Sequence, residues 1–503
     1  MVGLLAFALF FRLATLMIIH TGVDERDYWF SAKAIARGLP YPDLSHRTTR
    51  FAVILPVAFV QALLGSHPDV YYVLPVLNSM LQAVLAFVIG LRLRGRLTGF
   101  LAALAITLFP YMIRAASQVR PEIFSVTYIL LAIIFFIEYL ERTQKEVVPL
   151  IWTAACLFVA YEAKITNIFF LPGLLIAVLA YKKKPAHALL LCVILLSLVL
   201  VETGVYAAFT PYKLGELEII LKHHIQEGAL IHTTRFVDLF QRYSHTHLQL
   251  YWQIPFGLFA VAAVAYLIRG VDRRISAIVL AALGFFAGIT FEVAGFRPLT
   301  PAEPFINRYF TAVLGPVFLV LACAVEEIVA SRSDRRKDQK AFDPARWWIA
   351  ALCISAAAVT GLFSFPRLPA GMKEYANSPL HPGRHPLALN ERYRLSINGA
   401  YENGMPIVAV SGLGGQNAMA TCLTYYVDQS HYVNGRPPAF DRIQRDGSEY
   451  LVVGRMGRDA GSGKLLAVVR SPFRIAAIGE MDLQNLSDNS FNGGSRSTRD
   501  DDE

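Results

Sequence analysis

The sequence predicts an all-α polytopic membrane bundle of about eleven transmembrane helices, followed by a small α/β domain outside the membrane. Three observations carry that prediction. Hydrophobic residues make up 55% of the 503-residue chain and charged residues only 17%, against roughly a quarter charged in an ordinary soluble domain. The deficit is concentrated in long apolar stretches such as Leu189 to Val201, Ser276 to Ile289 and Trp347 to Leu362. These approach the roughly 20 residues needed to cross a hydrocarbon core. The basic residues behind the net charge of +9 fall in short clusters between the apolar runs. That is the pattern of cytoplasmic loops and argues against nucleic acid as a partner.

The first span is expected over 2–20, where MVGLLAFALFFRLATLMIIH lacks a basic leader and no small-residue cleavage site follows, as for an uncleaved helix. The others are expected at 70–91, 97–113, 122–140, 148–161, 165–181, 187–209, 251–268, 276–294, 308–330 and 346–366. The topology turns on Phe51 to Leu64 (FAVILPVAFVQALL). If this segment lies along the surface, RLRGR (Arg92 to Arg96), ERTQK (Glu141 to Lys145), KKK (Lys182 to Lys184), RGVDRR (Arg269 to Arg274) and SRSDRRKDQK (Ser331 to Lys340) all become cytoplasmic. Its short length and Pro56 also suit an interfacial helix. The N-terminus is then cytoplasmic in a plasma membrane, that of the bacterial inner membrane.

The expected organisation is a transmembrane domain over 1–366 with external loops 21–69 and 210–250, a soluble extracytoplasmic domain over 367–486, and a disordered tail over 487–503. Within the soluble region PIVAVSG, EYLVVGRM, KLLAVVRS and FRIAAIGEM read as strands, and AMATCLTYYV as a helix. Four of the five cysteines (Cys156, Cys192, Cys323, Cys353) lie inside apolar stretches as small core residues. Cys422 stands alone in the C-terminal region, so no disulfide forms there and no zinc-type spacing exists. GLGG (Gly412 to Gly415) lacks the dinucleotide fingerprint, and GRDAGSGK (Gly457 to Lys464) misses the P-loop spacing by one residue.

Candidate chemistry gathers on the external side. Asp24 and Glu25, with Asp27, follow the first span and open a short helix carrying Tyr28, Trp29, Ala32 and Ile35. A solvated acidic cluster is the bland reading. Carboxylates held at the membrane plane can also deprotonate a hydroxyl beside a lipid headgroup. Arg120 and Glu122, in AASQVRPEIF, sit at the mouth of the fourth span. Glu122 is either a helix-boundary acid or part of the same cavity as Asp24. Lys164, in the turn YEAKITN, is flanked by apolar helices. It is either a snorkelling lysine or a phosphate ligand. Arg308, in FINRYF, opens the tenth span on that same side. The loop histidines His223, His224, His232, His245 and His247 read as ordinary polar residues rather than metal ligands, and their loop as a mobile lid.

The order of these motifs resembles the GT-C superfamily of membrane glycosyltransferases. The acidic pair is followed by A-x-x-I-A-x-G-x-P-Y, then LLGSHPDVYYVLPVLNSML, RLRGRLTGFLAALAITLFP, VRPEIF, AKITNIFFLP and NRYFTAVLGP. The resemblance runs over residues 8–330 and is to the branch holding the dolichyl-phosphate-mannose protein mannosyltransferases and the bacterial aminoarabinose transferase of lipid A. It implies a GT-C-like bundle with a surface helix between the first two spans. It also implies transfer of a sugar from a polyprenyl-phosphate carrier to an extracytoplasmic acceptor, with inversion at the anomeric centre. On that resemblance Asp24 is the catalytic base, with Glu25 and Glu122 completing the catalytic set. On it Lys164 matches the family's phosphate-binding lysine and Arg308 the arginine of its R-Y motif, and Arg120, on the same external side, is expected to join them on the carrier phosphate. The family's second-loop acid is usually aspartate, and Glu122 departs from that. Arg12 in the first span also has a family counterpart.

The expected partners are a polyprenyl-phosphate-linked sugar, an envelope glycan, lipid or protein as acceptor, and membrane lipids. The resemblance requires no cofactor and leaves a divalent metal open. The alternatives are a lipid or glycan transporter or flippase, and a non-catalytic binder of lipid-linked glycans. Against a transporter, the sequence has no inverted repeat of Gly/Pro-broken helices, and its charges cluster at one surface rather than at mid-bilayer.

Overall fold

The computed structural model describes residues 2–16, 23–219, 238–241, 250–296, 299–301 and 307–334, apart from isolated positions, together with 243, 248 and the strand segments 407–411, 440–445, 448–453, 464–470 and 479–482. Seven helical stretches among them are long and apolar enough to cross a membrane: Pro68–Leu93, Pro121–Glu141, Ile165–Lys182, Pro185–Phe209, Tyr251–Arg269, Arg273–Phe291 and Arg308–Ala330. Four shorter apolar helices accompany them: Val2–Ala14 (α1), Phe51–Leu64 (α3), Arg96–Leu108 (α5) and Val147–Ala163 (α8). The chain is a polytopic helical membrane protein. The expected span 346–366 and the expected helix AMATCLTYYV lie outside the described residues.

The remaining helices used below are Val23–Arg37 (α2), Val73–Leu93 (α4), Pro110–Ala115 (α6), Pro121–Glu141 (α7), Phe170–Ala177 (α9), Pro185–Phe209 (α10), Leu250–Arg269 (α11), Arg273–Phe291 (α12) and Leu314–Asp334 (α13). Proline opens α6, α7 and α10, where its missing N–H costs no helical bond. Phe109, held extended ahead of Pro110 (φ −63°, ψ 128°), breaks the expected span 97–113 into α5 and α6, because the proline ring excludes the helical conformation at the preceding residue.

Close contacts divide the chain into two units. The first holds Met1–Leu13, Asp43–Val57 and Leu74–Arg367. At its centre α7 is buried over most of its length. Small residues let its helices approach closely, as membrane helices do without a hydrophobic drive between them. A Cβ on Gly173 of α9 would lie 2.0 Å from the Leu280 carbonyl oxygen of α12. Polar side chains tie other crossings: Arg12 Nε donates to Ser79 Oγ (2.6 Å), and Gln82 Nε2 donates to the Ile123 carbonyl (2.5 Å). By contrast α10 exposes Leu189, Val193, Leu196, Leu200 and Val201 along its length. That much bare apolar surface is a lipid-facing helix, not a water-facing one.

The basic loops of this unit meet at one end of the bundle. Arg92 and Arg274 both bind Glu141 (2.5 and 3.1 Å), Arg274 also donates to the Arg92 carbonyl (3.0 Å), and Arg94 pairs with Glu327. Lys182 and Lys184 share Glu146. Glu141 ends α7 and Glu122 begins it, so these two ends lie roughly 30 Å apart at 1.5 Å per residue.

The second unit holds Ala14–Pro42, Ala58–Val73 and Leu368–Glu503. Here α2 buries Tyr28, Trp29 and Ala32. Gln61 Nε2 donates to the Trp29 carbonyl (3.1 Å), and the Trp29 and Tyr71 rings meet at 5.3 Å. The C-terminal strands form a five-stranded sheet. Its strands are Ile407–Ser411, Phe440–Arg445, Ser448–Val453, Lys464–Arg470 and Gly479–Asp482, numbered β3 to β7 after a short hairpin of β1 (Val293–Phe296) and β2 (Leu299–Pro301) in the first unit. The order is β4-β5-β3-β6-β7, with β3 and β6 parallel and the other neighbours antiparallel.

Candidate active site

Glu122, Lys164 and Arg308 come from three separate stretches of sequence and meet in the first unit. Glu122 lies in the first turn of α7, behind Pro121, and is buried. Lys164 is the residue at which α8 stops. Its backbone is extended (φ −160°, ψ 118°) before a short 3₁₀ turn, Ile165–Phe169. Asn167 fixes that turn, with Nδ2 donating to Ser125 Oγ (2.8 Å) on α7 and to the Ala160 carbonyl (2.7 Å). Ser125 is one helical turn beyond Glu122, so the same bonds carry Lys164 to the mouth of α7. Arg308 lies in the 3₁₀ segment Asn307–Val313 that leads into α13.

The geometry is that of one carboxylate among cations. Lys164 Nζ donates to Glu122 Oε1 at 3.2 Å, and Arg308 Nε stands 4.0 Å from the same oxygen. Arg120, the residue capping α7, adds to the positive field on Glu122. Lys164 Nζ also sits 3.8 Å from the centre of the Tyr309 ring, and the Arg308 guanidinium 5.6 Å from it. The tyrosine ring attracts both cations through its quadrupole. Lys164 and Glu122 are each only 4–5% exposed at the side chain. Burying such a pair is tolerable because the two charges compensate each other.

Three of the sequence candidates thus share one cluster, and Arg120 acts on it electrostatically. Glu122 faces the cations. Asp24 and Glu25 occupy the first turn of α2, in the second unit. Glu25 is fully buried there, whereas Asp24 is half-exposed. Two aromatic residues were not singled out from sequence. Tyr309 could have been found from its place directly after Arg308. Tyr111 lies in the field of Glu122, Arg120, Arg114 and Arg308, and nothing in PYMIRA marks it. The loop histidines, GLGG and GRDAGSGK fall outside the described residues.

Chemically, four side chains bearing three positive charges and one negative suit an anion held at the end of a membrane bundle. A solved structure is similar over nearly the whole chain: the crystal structure of ArnT from Cupriavidus metallidurans bound to undecaprenyl phosphate. At 15% identity it matches with a TM-score of 0.52, covering 91% of this chain and 98% of that one. The chain has the ArnT fold. The apo state of that protein matches at 16% identity with a TM-score of 0.51, covering 84% and 83%. The likeness to both structures is one of fold. No protein-family profile and no curated sequence matches the chain.

Proposed function

We propose that this chain is a membrane glycosyltransferase that moves a sugar from a polyprenyl-phosphate carrier to an extracytoplasmic acceptor, inverting the anomeric carbon. The observation that carries the reading is the convergence of Lys164, Arg308 and Arg120 about Glu122 at the end of apolar helices. It is supported by the ArnT fold, which has been solved with undecaprenyl phosphate bound.

A polyprenyl-phosphate sugar holds its reactive carbon at the membrane surface. As the glycosidic bond breaks, negative charge grows on the departing phosphate. Fixed cations in a water-poor site stabilise that charge more strongly than water does. Lys164, Arg308 and Arg120 take this role. Glu122 gathers and orients the two nearer cations while the phosphate is absent. Asp24 takes the proton of the acceptor hydroxyl as its oxygen attacks, and Glu25 supports it. The acceptor is an envelope glycan, a lipid or a protein. Because the leaving group is already a lipid phosphate, no nucleotide-binding loop is needed.

In this reading the bundle has eleven spans, Phe51–Leu64 lies along the membrane surface, and 367–486 forms a small extracytoplasmic α/β domain around the five-stranded sheet. The N-terminus and the basic end of the bundle, with Arg94 and Lys183, face the cytoplasm. Cysteines introduced at positions 94 and 430 are therefore expected to react with impermeant reagents from opposite sides of sealed vesicles. Same-side labelling overturns the surface placement of Phe51–Leu64.

The direct test of the function is transfer from a synthetic polyprenyl-phosphate sugar by the purified chain in nanodiscs. Arg308→Lys is expected to keep measurable activity but lose about tenfold or more, because lysine keeps the charge and loses the planar fork that binds two phosphate oxygens at once. Unchanged kinetics in that variant would remove Arg308 from the phosphate site. Mass spectrometry of envelope glycans with and without the gene identifies the sugar and the acceptor.

A further inference from the structure

A second cluster lies in the same unit and takes no part in the proposed transfer. Glu162 sits near the C-terminal end of α8, Glu202 toward the C-terminal end of α10, and Glu216 just beyond α10. One carboxylate oxygen from each lies within 4.8 Å of the other two. Three carboxylates from three chain segments do not gather in a membrane bundle without a counter-charge, since each buried ion is costly.

Burial and bonding sharpen the point. Glu162 and Glu216 are only 7% and 2% exposed. Glu162 Oε1, Glu202 Oε1 and Glu216 Oε2 are each buried and accept no hydrogen bond. The rest of the setting is well built. Thr49 Oγ1 donates to Glu216 Oε1 (3.3 Å), and the Tyr206 hydroxyl donates to the Thr49 carbonyl (3.4 Å). Gly215, at φ +67°, packs its Cα where a Cβ would lie 3.1 Å from Thr203 Cα, next to Glu202. The scaffold is therefore closely fitted, and although Glu202 takes the Glu216 backbone N–H and shares a bond with Glu162, one oxygen of each glutamate is left without a donor.

The donor set identifies the missing partner. All three ligands are oxygens, which suit a hard cation such as Ca²⁺, Mn²⁺ or Mg²⁺ rather than a thiophilic metal. Arg50 acts on Glu216 as a nearby cation, so three carboxylates and one guanidinium leave two negative charges for a divalent ion to neutralise. We propose that Glu162, Glu202 and Glu216 form a binding site for a hard divalent cation that fastens the end of α8 to α10 and to the chain beyond it. Glu162 stands two residues before Lys164, but Lys164 turns to Glu122 instead. The cation site is thus distinct from the phosphate cluster, and it stands or falls independently of the transfer reaction.

The test uses the purified full chain in nanodiscs after treatment with a chelator. Titration with Mn²⁺, followed by electron paramagnetic resonance, is expected to show one saturable ion per chain, displaced by Ca²⁺. Glu202→Gln and Glu216→Gln keep the side-chain shape and are expected to weaken binding about tenfold or more, as loss of a group that supports a metal does. Ca²⁺ is expected to raise the unfolding temperature of the parent chain but not of these variants. Absence of saturable Mn²⁺ binding by the parent chain overturns the proposal, as does undiminished binding by both glutamine variants. So does a result in which the glutamine variants melt above the parent chain whether or not cation is present, because shared protons then satisfy the cluster.

Discussion

Replacing Asp24 with asparagine is expected to cut sugar transfer about 100- to 10,000-fold, the usual contribution of a general base, while leaving folding and donor binding intact. The placement of the acidic pair on α2 separates the two candidates. Adjacent residues on a helix point about 100° apart. The fully buried Glu25 is turned inward, and the half-exposed Asp24 is turned toward the surface. Of the two, Asp24 is the one with solvent access at its present position, so it is the first candidate to meet an acceptor hydroxyl. Asparagine retains its size and one accepting oxygen but cannot take a proton, so the loss falls on kcat rather than on binding of the carrier. A near-normal rate in Asp24→Asn shifts the base to Glu25. If Glu25→Gln and Glu122→Gln are also silent for any sugar transfer, the enzyme reading gives way to a transporter or a binder of lipid-linked glycans.

The helices were legible because apolar length is a strong signal, and their ends because proline and the basic loops mark them. The break within 97–113 was also written in the sequence, as the proline after Phe109, but a run of apolar residues reads through it. The cation cluster was legible in part. Lys164, Arg308 and Arg120 stood out as ionisable residues beside apolar helices, yet sequence left open whether Glu122 was a helix-boundary acid or part of the same cavity as Asp24. The contact of Glu122 with Lys164 depends on Asn167, which binds the turn holding Lys164 to Ser125 on α7, a pairing across 42 residues that no local pattern announces. The glutamate cluster was not legible at all. Glu162, Glu202 and Glu216 share no motif, and each alone looks like a helix-end acid. Strand β4, FDRIQR, lacks the strict alternation of a half-buried strand and passes as a polar loop until paired with β5.

Lys164→Ala is expected to weaken binding of undecaprenyl phosphate about 10- to 100-fold, which corresponds to one charge-assisted bond of about 1.5–3 kcal/mol. The single variant is ambiguous by itself. Removing the lysine strands the buried Glu122 carboxylate, and breaking a buried pair costs about 3–5 kcal/mol of stability. A loss of binding could therefore reflect a loosened α7–α8 contact rather than a lost phosphate ligand. The double variant Lys164→Ala with Glu122→Gln separates the two. Glutamine fills the place of the glutamate without its charge, so the stranded carboxylate is gone and the unfolding temperature is expected to recover most of the way to that of the parent chain. If Lys164 binds phosphate, affinity for undecaprenyl phosphate in the double variant stays low despite the recovered stability. If Lys164 serves only to neutralise Glu122, affinity returns with stability, and the phosphate role passes to Arg308 and Arg120. Glu122→Gln alone completes the cycle. It frees Lys164 from its ion pair, so affinity for the phosphate is expected to hold or to rise, and a loss of binding there would mean that Glu122 positions Lys164 through the 3.2 Å contact more than it competes with the ligand for its charge.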